Sequence, residues 1–197
     1  MHLSHYYWNS DIMNTPRNRT AKLMGTSILA SLVLVFDYAL KYSGLKIPFP
    51  WYPNLKFDFT GVPVVLSLLM YGPDSALVTS LVAGLGIFAR SGNLLSAAIK
   101  SVAELSTVAG LHVGLRATAT RGLDGRWIVV SSCVSVATRV TVMTLTNLYV
   151  LPNFYGVPVE AATGLLPLIA AFNVVQGAVT AGLGVFLDRA VRRRLPT

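Results

Sequence analysis

LKFDFTGVPVVLSLLMYGP, residues 55–73, sets a charged, aromatic entrance directly before a short apolar segment and closes that segment with Gly-Pro. Thr60 stands where a helix N-cap is expected. Pro63 then falls in the first turn, where a missing N–H costs nothing. Gly72-Pro73 ends that helix and opens another, with Asp74 placed to complement the new N-terminus. The apolar run between these signals is well short of the ~20 residues a straight membrane span needs. A core helix of a soluble domain would read the same way. The surroundings decide: longer apolar runs lie on both sides of it.

The chain has 197 residues, 53% of them hydrophobic and only 12% charged, with a mean hydropathy of +0.59. Soluble domains carry about 25% charged residues, so the composition is that of an integral membrane protein. The length suits a polar N-terminal segment over 1–20 and one transmembrane domain over 21–197. Sixteen Lys and Arg against eight Asp and Glu give a net charge of +8. In a soluble protein that would point to nucleic acid. Here the basic residues fall between apolar runs, where they set topology and meet anionic headgroups. The single cysteine, Cys133, excludes a disulfide framework.

Outward from the opening stretch, apolar runs cover Leu23–Leu40, Thr60–Tyr71, Ser75–Ala89, Leu94–Leu115, Trp127–Leu151 and Ala161–Leu187. The runs are continuous rather than alternating, which favours helices over a barrel. The expected fold is all-α: a polytopic bundle of six transmembrane helices. The second and third are short and are expected to be tilted or sheltered by neighbours. With six spans both termini share one side. Arg17, Arg19, Lys22, Arg116, Arg121, Arg126, Arg189, Arg192, Arg193 and Arg194 all fall there, against Lys41, Lys46, Lys56 and Arg90 opposite. The positive-inside rule places the termini in the cytoplasm of a cell (plasma) membrane protein. The loop 42–57, with Trp51, Tyr52 and Phe57, then faces outward. It reads either as an interfacial aromatic belt or as a lid over an outward-facing pocket.

Polar groups inside a bilayer are costly and mark sites. Lys100 and Glu104 share a face of the fourth helix at i,i+4. Arg139 lies near mid-depth of the fifth. Glu104 with Arg139 or Lys100 reads as a buried ion pair, with ligand contact as the rival reading. Asn147, Asn173 and Gln176 fall in the outer half. A carboxamide offers donor and acceptor together, which suits a neutral heterocycle with adjacent C=O and N–H groups. Interhelical hydrogen bonding is the alternative. On the first helix, Ala21/Gly25, Thr26/Ala30 and Ser27/Ser31 are small pairs at i,i+4. They serve either packing within the bundle or docking of another membrane subunit. No nucleotide-binding loop, zinc-protease motif or nucleophile elbow occurs, so neither an enzyme nor ATP hydrolysis by this chain is expected. No metal site or cofactor is expected either.

Four stretches carry a resemblance: LKFDFTGVP with YGP, GNLLSAAIKSVAEL (92–105), TNLYVLPNFYGVP (146–158) and LLPLIAAFNVVQG (165–177) with the basic tail. In order and spacing the chain resembles the substrate-binding S-component of energy-coupling factor (ECF) vitamin transporters, most closely the riboflavin-specific branch. The resemblance implies a six-helix S-component bundle with an outward pocket under the first outer loop. It implies riboflavin or FMN as transported ligand, and a transmembrane T-component with two ATPases as partners, ATP being used only on those. The riboflavin branch contacts the flavin ring through positions matching Asn147 and Asn173, and through a Lys where this chain has Gln176. Glu104 matches a helix-four glutamate. Lys56, Phe57 and Trp51 join the candidate site from the outer loop. The family's docking motif maps approximately to Thr26 and Ala30, beside Ser27. Two alternatives are an S-component for another vitamin or small precursor, and a structural membrane subunit without a ligand.

Overall fold

The computed structural model describes residues 16–118 and 125–194. Most of the expected polar N-terminal segment, to residue 15, and the topology residue Arg121 lie outside the described residues. Six helices and one hairpin follow in order: α1 Pro16–Tyr42, β1 Ile47–Phe49, β2 Tyr52–Phe57, α2 Gly61–Tyr71, α3 Pro73–Ser91, α4 Leu94–Thr118, α5 Gly125–Tyr155 and α6 Val159–Arg194. The helix α1 begins inside the segment expected to be irregular, with a proline at its first position, where the lost N–H has no partner to lose.

The opening stretch is the centre of the bundle. α2 packs among α1, α3 and α6, and every residue from Gly61 to Leu68 is buried. A helix apolar all round is a helix surrounded. That is why α2 can be short: at 11 residues it rises only about 16 Å, and its neighbours shield its ends. Gly72 closes it with φ 92°, its N–H donating to Leu68 O at 3.0 Å, and Pro73 starts α3 at once. Thr60 corrects the capping expectation. It stands before α2 without a side-chain cap, and its hydroxyl donates to Asp58 Oδ1 at 2.8 Å instead.

Among the described residues, four helices combine the length and apolarity needed to cross a membrane: Arg19–Tyr42, Leu94–Thr118, Arg126–Tyr155 and Val159–Arg194. α2 is too short to count among them. α3 carries Asp74, Ser75, Thr79, Ser80 and Arg90 along its length. The expected six helices are therefore present, and four of them have spanning character. Large apolar side chains such as Ile28, Leu85, Val113, Val129, Leu145 and Phe186 point outward. An all-round apolar exterior of this kind is the surface lipid would cover.

The α4–α5 seam has its own device. Gly110 and Gly114, one turn apart on α4, meet Ser135 and Ser131 on α5. A Cβ on Gly114 would lie 2.7 Å from Ser131 Cα, and one on Gly110 2.8 Å from Ser135 Cα. Small residues let the backbones approach this closely, and Ser135 Oγ then donates across the seam to Thr107 O at 2.6 Å.

The segment read as a loop over 42–57 is largely an antiparallel hairpin, so the fold is not purely α. Ile47 faces Phe57, Pro48 faces Lys56 and Phe49 faces Tyr52, with an irregularity between Pro48 and Phe49. Pro48 and Pro53 hide the strands, because proline normally argues against a paired strand. Among the described residues the sheet has two strands, and both are edges.

Candidate ligand-binding site

The hairpin lies over the end of the bundle formed by the start of α4, the end of α5 and the start of α6. Beneath it is a cavity of about 720 Å³, within the range of small-molecule sites. Its polar lining includes Asp58, Lys100, Arg139, Asn147, Asn173 and Gln176, with Lys56, Asn93 and Ser96 also on the wall. Met143, Leu151 and Phe172 supply apolar wall, and Tyr52 and Tyr155 stand near the mouth. The cavity opens at the end opposite the start of α1 and the close of α6.

Each polar group is held by secondary structure. Asn93 caps α4, its Oδ1 accepting from Ser96 N at 2.9 Å. That cap fixes the helix carrying Lys100 and Glu104. Lys100 Nζ donates to both Asp58 oxygens at 3.0 Å and to Glu104 Oε1 at 2.7 Å. Arg139 Nη1 reaches Glu104 Oε2 at 3.6 Å and donates to Thr107 Oγ1 at 2.8 Å. Its Nε donates to Asn173 Oδ1 at 3.1 Å. The floor is thus a chain Asp58–Lys100–Glu104–Arg139–Asn173, with two anions and two cations. Charges taken out of water must be paired in this way. Asp58 lies in the linker between β2 and α2. Burial pushes its carboxyl up; the Lys100 ammonium and the Thr60 hydroxyl outweigh that and hold it below the ordinary value.

The two asparagines keep part of their bonding capacity. Asn173 Nδ2 donates to Ile169 O at 2.9 Å while its oxygen accepts from Arg139. An amide has two N–H groups and two lone pairs, so one donor and one acceptor remain. Asn147 Nδ2 donates to Met143 O at 2.7 Å. Among the described residues nothing pairs with its Oδ1.

The structure brings together Asn147, Asn173, Gln176 and Lys56 on the cavity wall. It sets Glu104 behind that wall, fully buried between Lys100 and Arg139. Phe57 packs on Phe172 with centroids 4.9 Å apart and anchors the hairpin rather than lining the cavity. Trp51 is 71% exposed and touches Phe49 at the tip, outside the cavity lining. The docking residues are also rearranged. Thr26 and Ala30 are buried, and Thr26 Oγ1 donates to Ser75 Oγ at 2.8 Å. Only Ser27 faces outward, so the three do not form one surface. The i,i+4 spacing places Thr26 and Ala30 on one face but cannot say which way that face points.

Asp58 was not nominated from the sequence, although it stands in the opening stretch. A carboxylate at the mouth of an apolar helix, in a chain with only eight acidic residues, was the available signal.

No family model matches the chain. The riboflavin transporter FmnP of Bacillus subtilis (strain 168) is 26% identical to it over 172 residues, which is 82% of this chain and 86% of that one. A solved structure of the S component of a bacterial ECF transporter superposes with a TM-score of 0.73. That match covers 91% of this chain and 99% of the other at 21% identity. The chain therefore has the S-component fold, and both likenesses bear out the resemblance read from its sequence.

Proposed function

We propose that this chain is the membrane-embedded S-component of an ECF-type importer and binds riboflavin from outside the cell. The observation that carries the reading is the cavity floor. It presents amide donors and acceptors from Asn147 and Asn173 over a charge network that sums to zero. A buried site without net charge favours an uncharged ligand, because a buried unpaired ion is heavily penalised. The pyrimidine-dione edge of a flavin offers alternating C=O and N–H groups to such amides, and the apolar walls suit its ring system. The similarity to a protein named as a riboflavin transporter supports the same ligand. FMN would have to keep its phosphate at the mouth, where Lys56 is exposed.

The chain crosses the membrane several times with both termini in the cytoplasm. Arg116, Arg126, Arg189 and the run Arg192–Arg194 lie at the terminal end. At the other end, Lys46 and Arg90 share the one carboxylate of Asp37, and the excess of Lys and Arg at the terminal end is what the positive-inside rule reads. A T-component and two ATPases supply the energy. Titration of purified protein with riboflavin, FMN, thiamine and biotin, read by thermal stability, tests the reading. Stabilisation by riboflavin above the others supports it; stabilisation by a charged vitamin alone overturns it.

A further inference from the structure

Gln176 stands where the riboflavin branch carries a lysine, and the structure shows its amide turned to a different partner. Nε2 donates to Asp58 O at 2.7 Å, and Oε1 accepts from Asp58 N at 3.4 Å. One side chain thus meets both backbone groups of one residue, as a neighbouring β-strand would. Gln176 is only 2% exposed. Its remaining contact is to Thr180 Oγ1 at 3.4 Å, one turn along α6.

Asp58 is the root of the hairpin. β2 ends at Phe57 and α2 begins at Gly61, so the residue Gln176 grips is the pivot between lid and core. From the same residue, the carboxylate holds Lys100 of α4. Above the pivot, the hairpin rests on α6 through Phe49 and Phe57 against Phe172. Phe172 directly precedes Asn173, and Gln176 follows Asn173 by three positions. One stretch of α6 therefore carries the ligand-facing amide, the aromatic seat of the lid and the clasp on its root.

We infer that Gln176 is a positioning residue that ties the hairpin's root to α6 and so sets how long the lid stays closed over a ligand. This rests on the proposed function only for the identity of that ligand. A lysine here would have no acceptor for the Asp58 N–H. In this chain the position works on the lid, and ligand reading falls to Asn147 and Asn173. Loss of the clasp acts on release more than on capture, because the open lid admits ligand with or without it.

Two readouts on full-length protein in nanodiscs test this, comparing wild type with Q176L. Hydrogen exchange on the ligand-free protein should show peptides covering 55–60 exchanging about tenfold faster in Q176L, as losing a buried hydrogen-bonded pair implies, with α4 and α5 unchanged. Stopped-flow riboflavin fluorescence should show release about tenfold faster and association changed less than about threefold. Unchanged exchange at 55–60, or slowed association with unchanged release, overturns the inference. If Q176L does not fold, Q176E keeps the volume and the acceptor, loses the donor, and is read by the same exchange. If wild type binds no riboflavin, the functional reading fails, and the ligand-free exchange still decides the clasp.

Discussion

Arg139 Nε lies 3.1 Å from Asn173 Oδ1, and the same guanidinium lies 3.6 Å from Glu104. A buried cation therefore orients the amide that faces the cavity, and a buried anion holds the cation. The link fixes which edge of Asn173 is presented, so that one N–H and one lone pair remain for a ligand.

Replacing Asn173 with alanine removes both of those groups and leaves Arg139 Nε without its acceptor. Riboflavin affinity should fall about 10- to 100-fold, the equivalent of 1–3 kcal/mol for lost buried hydrogen bonds. Fluorescence titration measures it. Asn147→Ala should show a smaller loss with less effect on stability, because the side-chain hydrogen bond it loses, to Met143 O, lies within its own helix.

Glu104→Gln leaves Lys100 and Arg139 facing each other across a neutral group. Glu104 is fully buried, and breaking such a pair typically costs about 3–5 kcal/mol. The unfolding temperature in detergent should drop sharply. Combining it with Arg139→Met, which removes the cation left without its anion and keeps the Lys100–Asp58 pair, should recover part of the loss. A double variant no more stable than Glu104→Gln alone would speak against the charge-balance account.

Gly114→Ala puts a Cβ 2.7 Å from Ser131 Cα and must push α4 from α5. A loss of about 1–3 kcal/mol is expected, in the range for overpacking. Gly164, with open space around it, should tolerate alanine; paired melting curves make the comparison.

Ala30→Trp should destabilise the isolated protein, because Ala30 is buried against its own bundle. Ser27→Trp, on the outward face, should leave stability and riboflavin binding unchanged and lower energised uptake in cells. Uptake unaffected by Ser27→Trp would place the partner surface on another face.

How far these relationships were legible in the sequence depends on their range. The helices were visible because apolar runs and Gly-Pro punctuation are local: Gly72-Pro73 was placed correctly from residue types alone. The hairpin was not, because Pro48 and Pro53 mask its alternation and its support comes from Phe172, far along the chain. Asn147, Asn173 and Gln176 were found as polar residues in apolar helices. Their separate tasks were not, since Gln176 differs from Asn173 only in what lies across from it. Thr26 and Ala30 show the same limit: spacing gives a shared face, and only the neighbouring helices give its direction. The Gly110/Gly114 seam was readable as small-xxx-small and was passed over for the first helix.

The central claim is that the cavity under the hairpin binds riboflavin through the α5 and α6 amides. Quenching of riboflavin fluorescence by purified wild type and by the double variant Asn147→Ala/Asn173→Ala tests it most directly. The account predicts saturable one-to-one quenching at micromolar or lower riboflavin for wild type, and none in that range for a folded double variant. No quenching by wild type at tens of micromolar, or equal quenching by both proteins, would contradict it.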